Sequence, residues 1–224
     1  MPIIHLKKPN ENSPTGGWGA AIWQITETHD ELMAMLSSEI LTDAELAEIH
    51  HPLKQIEFFA SRLCLQFLAN SLNIKYLGTK KNEYGKPFLV GSSWQMSLTH
   101  TPKYIAVVMH ETLPVGIDME KPSEKMRRIS HKFLSESELG NAENDIEKLC
   151  IYWSAKEAMY KIYGKRKVIF NENLFVFPFE KGEKMIDGKI KMNKEAQYQA
   201  IIGLQVSHWE DYILVIGFEA KRIF

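Results

Sequence analysis

The sequence is poor in cysteine, with only Cys64 and Cys150 among its 224 residues. These two form no C-x-x-C pair, and two residues are too few for a framework of disulfide bonds. A chain of this composition is therefore expected in a reducing compartment. Both cysteines fall in segments that we predict as helices, where a free cysteine usually serves as a small core residue.

The sequence also lacks an excess of charge of one sign. Its 27 lysines and arginines and 28 acidic residues leave a formal net charge of −1 at pH 7. Nucleic-acid-binding domains are usually strongly basic, so that class of protein is not expected. A local basic pocket is still compatible with this total, because net charge does not describe clustering.

Long hydrophobic runs are missing as well. Runs such as residues 212–218 are far too short to cross a bilayer. The N-terminal sequence shows no apolar stretch followed by a small-residue cleavage site, which a secretory signal would require. We therefore expect a cytoplasmic protein that binds neither membrane nor nucleic acid.

What the chain does contain is 45% hydrophobic residues, enough for one large or two small cores. Capping boxes at Thr28 with Glu31 and at Thr42 with Glu45 mark two helix starts. Periodicity predicts helices near 53–71, from 124 onward and from Asn144 to 163, and strands at 95–99, 104–110, 115–120 and mostly after 175. This mixture predicts an α+β fold.

An internal similarity indicates two related halves. Residues 96–109 align without a gap to residues 204–217, which matches His100 with His208. Any two hairpins share alternation, but the repeated spacing from histidine to tyrosine favours duplication. We predict two similar α/β halves related by a pseudo-twofold, with the active site in the cleft between them. The predicted halves are residues 1–112 and 113–224.

Two carboxylates lie two residues apart in the predicted strand at 115–120, V-G-I-D-M-E. Because side chains alternate between the faces of a strand, Asp118 and Glu120 share one face with Gly116. Like charges on one face repel each other unless a positive group lies near them. A glycine on that face would leave room for a ligand to approach. The alternative is a strand face that is simply exposed to solvent.

A third carboxylate, Glu157, falls on the apolar side of the last predicted helix, and Lys161 lies one turn further along on the same side. A buried carboxylate needs a cation or a metal ion, because its isolated burial costs several kcal/mol. The alternative is an ordinary surface ion pair between Glu157 and Lys161 at i,i+4 spacing.

Asp118, Glu120 and Glu157 together would suit a hard divalent cation such as Mg²⁺, which prefers carboxylates, water and phosphate oxygens. Such a site is expected to come with cations that bind phosphate. The candidates are Lys156, Lys161, Lys86, His100 and Arg62. Arg62 could instead form a salt bridge, and His100 could have a structural role.

Two segments, GIDMEKP at 116–122 and WSAKEAMYK at 153–161, resemble the G-V-D-I-E and W-x-x-K-E-A-x-x-K motifs of the 4'-phosphopantetheinyl transferase superfamily. Weaker matches are GKPF at 85–88, SLTH at 97–100 and ASR at 60–62. The chain length is that of the surfactin-synthetase type, whose members are monomers built as a pseudo-dimer.

The resemblance implies roles for these residues. Asp118, Glu120 and Glu157 would bind Mg²⁺, while Glu157, Lys161 and Asp118 would be catalytic. Lys161 and His100 would contact the pyrophosphate of coenzyme A. The other residues placed near coenzyme A are Lys54, Arg62, Lys86, Thr99 and Lys156. At the position before the histidine the family usually has serine, so the threonine here keeps a hydroxyl.

The function implied is transfer of 4'-phosphopantetheine from coenzyme A to a serine of an apo acyl or peptidyl carrier protein, as in holo-[acyl-carrier-protein] synthases, with release of 3',5'-adenosine bisphosphate. A metal-dependent phosphohydrolase acting on coenzyme A-like pyrophosphates would use the same carboxylates. A catalytically silent carrier-binding module is the third alternative, and the presence of the three carboxylates and Lys161 argues against it. One departure from the family is the loop after the second motif, where small residues are replaced by Lys165, Arg166 and Lys167.

Overall fold

A computed structural model of the protein describes residues 3–7, 17–37, 44–192 and 198–223. Thr42, the first residue of the second predicted capping box, lies outside the described residues. Helices and antiparallel strands are mixed along the chain, so the predicted α+β class is confirmed.

Contacts between residues divide the chain into two compact units. The first comprises Met1–Lys80 and Pro87–Thr112, and the second comprises Lys81–Lys86 and Leu113–Phe224. Residues 81–86 therefore group with the second unit, which the sequence did not indicate. The location of the active site in a cleft between the halves stays a prediction, as does the pseudo-twofold.

The first unit contains a four-stranded antiparallel sheet in the order β1-β2-β6-β5 and a separate two-stranded sheet of β3 and β4. The elements are β1 (Ile3–Lys7), β2 (Trp18–Gln24), α1 (His29–Ala34), α2 (Ala44–Ala47), α3 (Pro52–Ser71), β3 (Thr79–Lys81), β4 (Pro87–Leu89), β5 (Gln95–His100) and β6 (Tyr104–His110).

Local sequence explains where the helices of this unit begin. The capping box predicted at Thr28 and Glu31 is present, with each side chain accepting a hydrogen bond from the backbone of the other residue. Helix α3 begins at Pro52, where a missing backbone N–H costs no hydrogen bond. Its apolar side buries Phe59 and Leu68 in a core that also includes Val107 of β6.

The second unit contains a five-stranded antiparallel sheet in the order β7-β11-β10-β9-β8. The elements are β7 (Val115–Glu120), α4 (Glu124–Phe133), α5 (Glu136–Ala142), α6 (Ile146–Tyr163), α7 (Phe170–Asn173), β8 (Leu174–Val176), β9 (Met185–Lys191), β10 (Gln199–Trp209) and β11 (Tyr212–Ile223). Helix α6 packs on this sheet, and its residues Leu149 and Met159 share a core with Val215 of β11.

The sequence predicted the end of α6 correctly but placed its start one residue too early. The predicted start at Asn144 is wrong by one residue, because Asp145 is the N-cap and its side chain accepts a hydrogen bond from the Lys148 N–H. Asn144 instead adopts a positive φ of 57° before the helix. The predicted stop is confirmed, since Gly164 ends the helix at a φ of 65° with its N–H bonded to the Tyr160 carbonyl.

The two hairpins that align in sequence have the same register. His100 pairs with Ile105 in the β5–β6 hairpin, and His208 pairs with Ile213 in the β10–β11 hairpin. In each unit the second hairpin strand also pairs with a strand from earlier in the chain, β2 in the first unit and β7 in the second. The hairpins therefore occupy equivalent positions in the topology of the two units, as duplication predicts.

Gly116 was expected to leave room for a ligand, but in the structure it has a different role. A Cβ at this position would lie 1.9 Å from the carbonyl oxygen of Ala158, so the backbone of α6 fills the space above β7. The glycine thus permits a close approach of helix to strand, and it leaves no room for a ligand. Because Asp118 and Glu120 share the face of Gly116, this contact turns both carboxylates towards α6.

Replacing Gly116 by alanine should lower the free energy of unfolding by about 1–3 kcal/mol or more, because the helix must move away from the strand. Gly140→Ala in α5 is the matched control, since a Cβ there meets no atom within 4 Å. Alanine is also the better helix former by about 1 kcal/mol, so the control should be neutral or stabilising. Urea denaturation measures both values. Equal stability of the two variants would contradict the close approach.

Candidate active site

Asp118 and Lys161 form an ion pair between β7 and α6. The ammonium of Lys161 donates to Asp118 Oδ1 at 2.9 Å and to the Ile117 carbonyl at 2.7 Å. Asp118 is only 8% exposed, so its carboxylate is shielded from bulk water, whereas the Lys161 side chain is 25% exposed. Lys161 is therefore tied to the strand rather than being only the i,i+4 partner of Glu157.

Glu157 is half-buried on α6, and its burial raises the pKa of its carboxyl to about 7. The negative charges of Asp118 and Glu120 raise this pKa further, while Lys161 opposes the rise. Burial also raises the pKa of Glu120, and Asp118 contributes to the shift, although hydrogen bonds from the Lys121 N–H and Trp153 oppose it. The three acidic groups thus form one cluster in which the charge of one raises the pKa of another.

The chemical type of these ligands fits Mg²⁺. In the part of the chain that the structure describes, no three histidine, cysteine or acidic side chains stand in an arrangement that could hold a metal ion. The charge of Asp118 nevertheless raises the pKa of Glu120 and that of Glu157, so a divalent cation would relieve the repulsion on these two carboxyls. All three offer the oxygen ligands that Mg²⁺ prefers. Asp118, Glu120 and Glu157 stay the predicted ligands.

Lys156, the neighbour of Glu157, points into the protein interior. Its side chain has no solvent exposure, and its ammonium donates to Glu138 Oε2 at 2.7 Å, the Phe133 carbonyl at 2.7 Å and the Phe170 carbonyl at 3.1 Å. A phosphate could reach it only by displacing these acceptors. The structure therefore does not support the prediction that Lys156 contacts coenzyme A.

Glu138, the partner of Lys156, was not singled out in the sequence. Its Oε1 accepts a hydrogen bond from the Val176 N–H at 2.8 Å, and its Oε2 accepts one from the Ser135 N–H at 2.7 Å. The S-x-x-E spacing of Ser135 and Glu138 is a capping-box signal that would have marked the start of α5, but not the ion pair.

Lys86 lies at the C-terminal end of α6. Its ammonium donates to the Ile162 carbonyl at 3.1 Å, and its stem occupies the space where a side chain of Gly164 would be. Burial lowers the pKa of Lys86 to about 8, although Glu219 opposes this shift. The predicted nucleotide-binding lysine is thus held beside the last turn of the helix that carries Glu157 and Lys161.

In the first unit, His100 and Lys54 contact the same glutamate. His100 Nε2 is 3.3 Å from Glu57 Oε2, and Lys54 Nζ is 2.6 Å from the same oxygen. Thr99 is buried, whereas His100 is exposed. His100 is therefore accessible at the end of β5, as a ligand-binding residue must be.

Arg62 forms the salt bridge that the sequence left open as an alternative. Its guanidinium bonds to Glu45 Oε2 at 3.0 Å and lies 4.1 Å from the centre of the Phe58 ring. The side chain is 7% exposed. A phosphate ligand of Arg62 would have to compete with Glu45.

His208 repeats the environment of His100 in the second unit. Its Nε2 is 2.9 Å from Glu147 Oε1, so each hairpin histidine contacts a glutamate of the long helix in its own unit. Lys181 also pairs with Glu147, at 2.7 Å. The sequence alignment matched the histidines but did not reveal their glutamate partners.

Residues 114–215 match the family model described as the 4'-phosphopantetheinyl transferase superfamily. The predicted resemblance to this superfamily is confirmed. A curated relative, "4'-phosphopantetheinyl transferase gsp" of Aneurinibacillus migulanus, is 32% identical over 110 residues. This match covers 46% of the chain and 46% of the relative, so the chain spans about half the length of the curated relative it matches.

The superfamily match contains both strong motifs, and with them Asp118, Glu120, Glu157 and Lys161. Other candidate residues lie upstream of the matched range, at Lys54, Arg62, Lys86, Thr99 and His100. The similarity to the superfamily therefore rests on the segment that carries the three carboxylates and Lys161. None of the helices in the described ranges is long and apolar enough to cross a membrane.

Replacing Glu157 by glutamine should remove a pH dependence of stability. The folded protein holds a proton on Glu157 up to a pH of about 7, whereas the unfolded chain loses it near the ordinary value of 4.5. This carboxyl therefore makes the free energy of unfolding fall as the pH rises through that interval. Relative to the wild type, the variant should gain roughly 1–3 kcal/mol between pH 5 and pH 8.

Urea denaturation in the presence of a chelator measures this difference without interference from bound metal. Glu83→Gln, which changes an exposed carboxylate of the same unit, is the control and should follow the wild type at both pH values. Parallel pH profiles for the wild type and Glu157→Gln would show that Glu157 is ionised at all these pH values.

Proposed function

We propose that this protein transfers the 4'-phosphopantetheine group of coenzyme A to a serine of an apo acyl or peptidyl carrier protein. It would act as a monomer of the holo-[acyl-carrier-protein] synthase type and release 3',5'-adenosine bisphosphate. The observation that carries the proposal is the superfamily match together with the convergence of both motifs at one place, where Asp118, Lys161 and Glu157 lie between β7 and α6.

In this reaction the serine oxygen bonds to the β-phosphorus of coenzyme A, and the bond from that phosphorus to the bridging oxygen breaks. The serine proton passes to a base, and the bisphosphate leaves with the bridging oxygen. Glu157, half-buried beside Asp118, is the candidate base. Lys161 carries the positive charge that would stabilise the leaving phosphate, and Asp118 holds its ammonium in place.

Mg²⁺ bound by Asp118, Glu120 and Glu157 would neutralise charge on the pyrophosphate oxygens. The side chains of the protein would position the serine and the pyrophosphate, because phosphoryl transfer depends mainly on alignment and electrostatics. The short bonds of Lys161 to β7 support this role, since they fix the ammonium relative to the carboxylates.

For the rest of coenzyme A, we propose contacts from the remaining predicted residues other than Lys156. His100 would bind the pyrophosphate, in place of or alongside its contact with Glu57. Thr99 and Lys86 would lie near the nucleotide. Arg62 and Lys54, each paired with a glutamate in this structure, would bind the 3'-phosphate.

Asp118→Ala should lower transfer at least about a hundredfold while the circular dichroism spectrum stays that of the wild type, because both the metal site and the anchor of Lys161 are lost. Incubation with coenzyme A, Mg²⁺ and a panel of apo carrier proteins, read by intact mass, measures transfer. Calorimetry should show that Mg²⁺ strengthens coenzyme A binding to the wild type and not to Asp118→Ala.

Three other outcomes would change the conclusion. Full transfer in excess chelator would eliminate the metal site. Breakdown of coenzyme A without any carrier would identify a phosphohydrolase. Carrier binding that is insensitive to both coenzyme A and Mg²⁺, with no transfer, would identify a silent binding module.

The duplicated histidines offer an internal comparison. His100→Ala should lower kcat/KM for coenzyme A by roughly 10–100-fold, the usual effect of losing a charged hydrogen bond. His208→Ala removes a histidine with the same register and a similar glutamate contact, and it should leave kcat/KM nearly unchanged. Equal losses in the two variants would contradict the assignment of the pyrophosphate to His100.

A further inference from the structure

The segment 165–170 leaves the end of α6 and is anchored at both of its ends. At its start, the Gly164 N–H bonds to the Tyr160 carbonyl at 2.9 Å. At its end, the Phe170 carbonyl accepts a hydrogen bond from the buried ammonium of Lys156. The segment is therefore a loop of defined position that starts one helical turn, about 6 Å, beyond Lys161.

The loop concentrates positive charge on a chain that is nearly neutral overall. Lys165, Arg166 and Lys167 are consecutive and all exposed, whereas the chain as a whole carries a net charge of −1. The C-terminal end of a helix carries about half a negative charge, so one cation would offset it. Two of the three cations are thus in excess of what the helix requires.

Lys165 differs from Arg166 and Lys167 in its contacts. Lys165 Nζ lies 5.9 Å from the centre of the Tyr84 ring, so its position is set within the unit. Arg166 and Lys167 follow and are exposed, and Lys167 adopts a positive φ of 64°.

An apolar side chain lies next to this charge. Ile169 is 52% exposed, and its N–H is held by Asn173 Oδ1 at 2.8 Å. Phe170, by contrast, turns inward and contacts the rings of Trp153 and Tyr160. An exposed isoleucine two residues after two exposed cations is a combination that protein interfaces use, with an apolar anchor and a charged rim.

We propose that Arg166, Lys167 and Ile169 form a docking surface for an acidic protein segment next to the acceptor serine. This inference rests on the proposed function, because the serine must reach the neighbourhood of Lys161 and Glu157. A partner that does so meets this loop one helical turn away. Complementary charge at such a surface acts mainly on the rate of encounter and on specificity.

The test reverses two charges and measures both substrates. Arg166→Glu combined with Lys167→Glu should raise the KM for an apo acyl carrier protein, or for an excised apo peptidyl carrier domain, several-fold. The KM for coenzyme A and kcat should be unchanged. The wild type should lose carrier affinity as salt increases, and the variant should lose much of this dependence because attraction at long range is gone.

Two further variants separate charge from packing. Ile169→Ser should raise the carrier KM by a factor that does not depend on salt. Lys75→Glu combined with Lys184→Glu makes the same change of net charge at exposed positions elsewhere, and it should leave the carrier KM unchanged. Circular dichroism and the coenzyme A KM verify that each variant is folded.

The outcomes distinguish this proposal from the one on which it rests. If the wild type transfers nothing to any carrier probe, the proposed function fails and the docking surface with it. If the wild type is active and charge reversal leaves the carrier KM unchanged, only the docking surface is wrong. If reversal raises the KM for coenzyme A instead, the loop binds the nucleotide phosphates and the docking proposal is overturned.

Discussion

A lysine ammonium that has no contact with solvent must find enough acceptors to offset the loss of water, and Lys156 finds three. Its carboxylate partner, Glu138, is itself fully used by the backbone of Ser135 and Val176. Through these bonds one ion pair joins the end of α4, the start of α5, the start of α7 and strand β8 to helix α6. Removing either member would leave a buried charge, a change that typically costs about 3–5 kcal/mol.

The same interaction sets the direction of the side chains in the candidate active site. Successive residues of a helix point about 100° apart, so fixing Lys156 towards the interior fixes Glu157 on a different side. Gly116 then lets α6 approach β7 closely enough for Lys161 to bond to both Asp118 and the Ile117 carbonyl. The candidate site therefore lies on a helix and a strand, whereas many binding sites are built on flexible loops.

The two units share a hairpin framework but differ in the chemistry of their side chains. The two hairpins share a register, and each presents a histidine to a glutamate of the neighbouring helix, at 3.3 Å for His100 and 2.9 Å for His208. Among the residues that the structure describes, strand carboxylates face a helix lysine in the second unit, where Lys161 bonds to Asp118. Similar hairpins therefore carry different sites because the side chains on the helix and on the adjoining strand differ.

The sequence by itself determined the elements and the pair of motifs, because both depend on local order. Alternation located β5, β6 and β7 to within one residue, and Gly164 marked the end of α6. The role of a charged or small residue depends on what lies opposite it in space, and the tertiary structure alone decided that. Lys156 was expected to bind a phosphate, but its ammonium is bonded to two carbonyls and Glu138. Arg62 is paired with Glu45, and Gly116 makes room for a helix rather than a ligand. In each case the partner lies on a separate element, brought close by packing that no local pattern records.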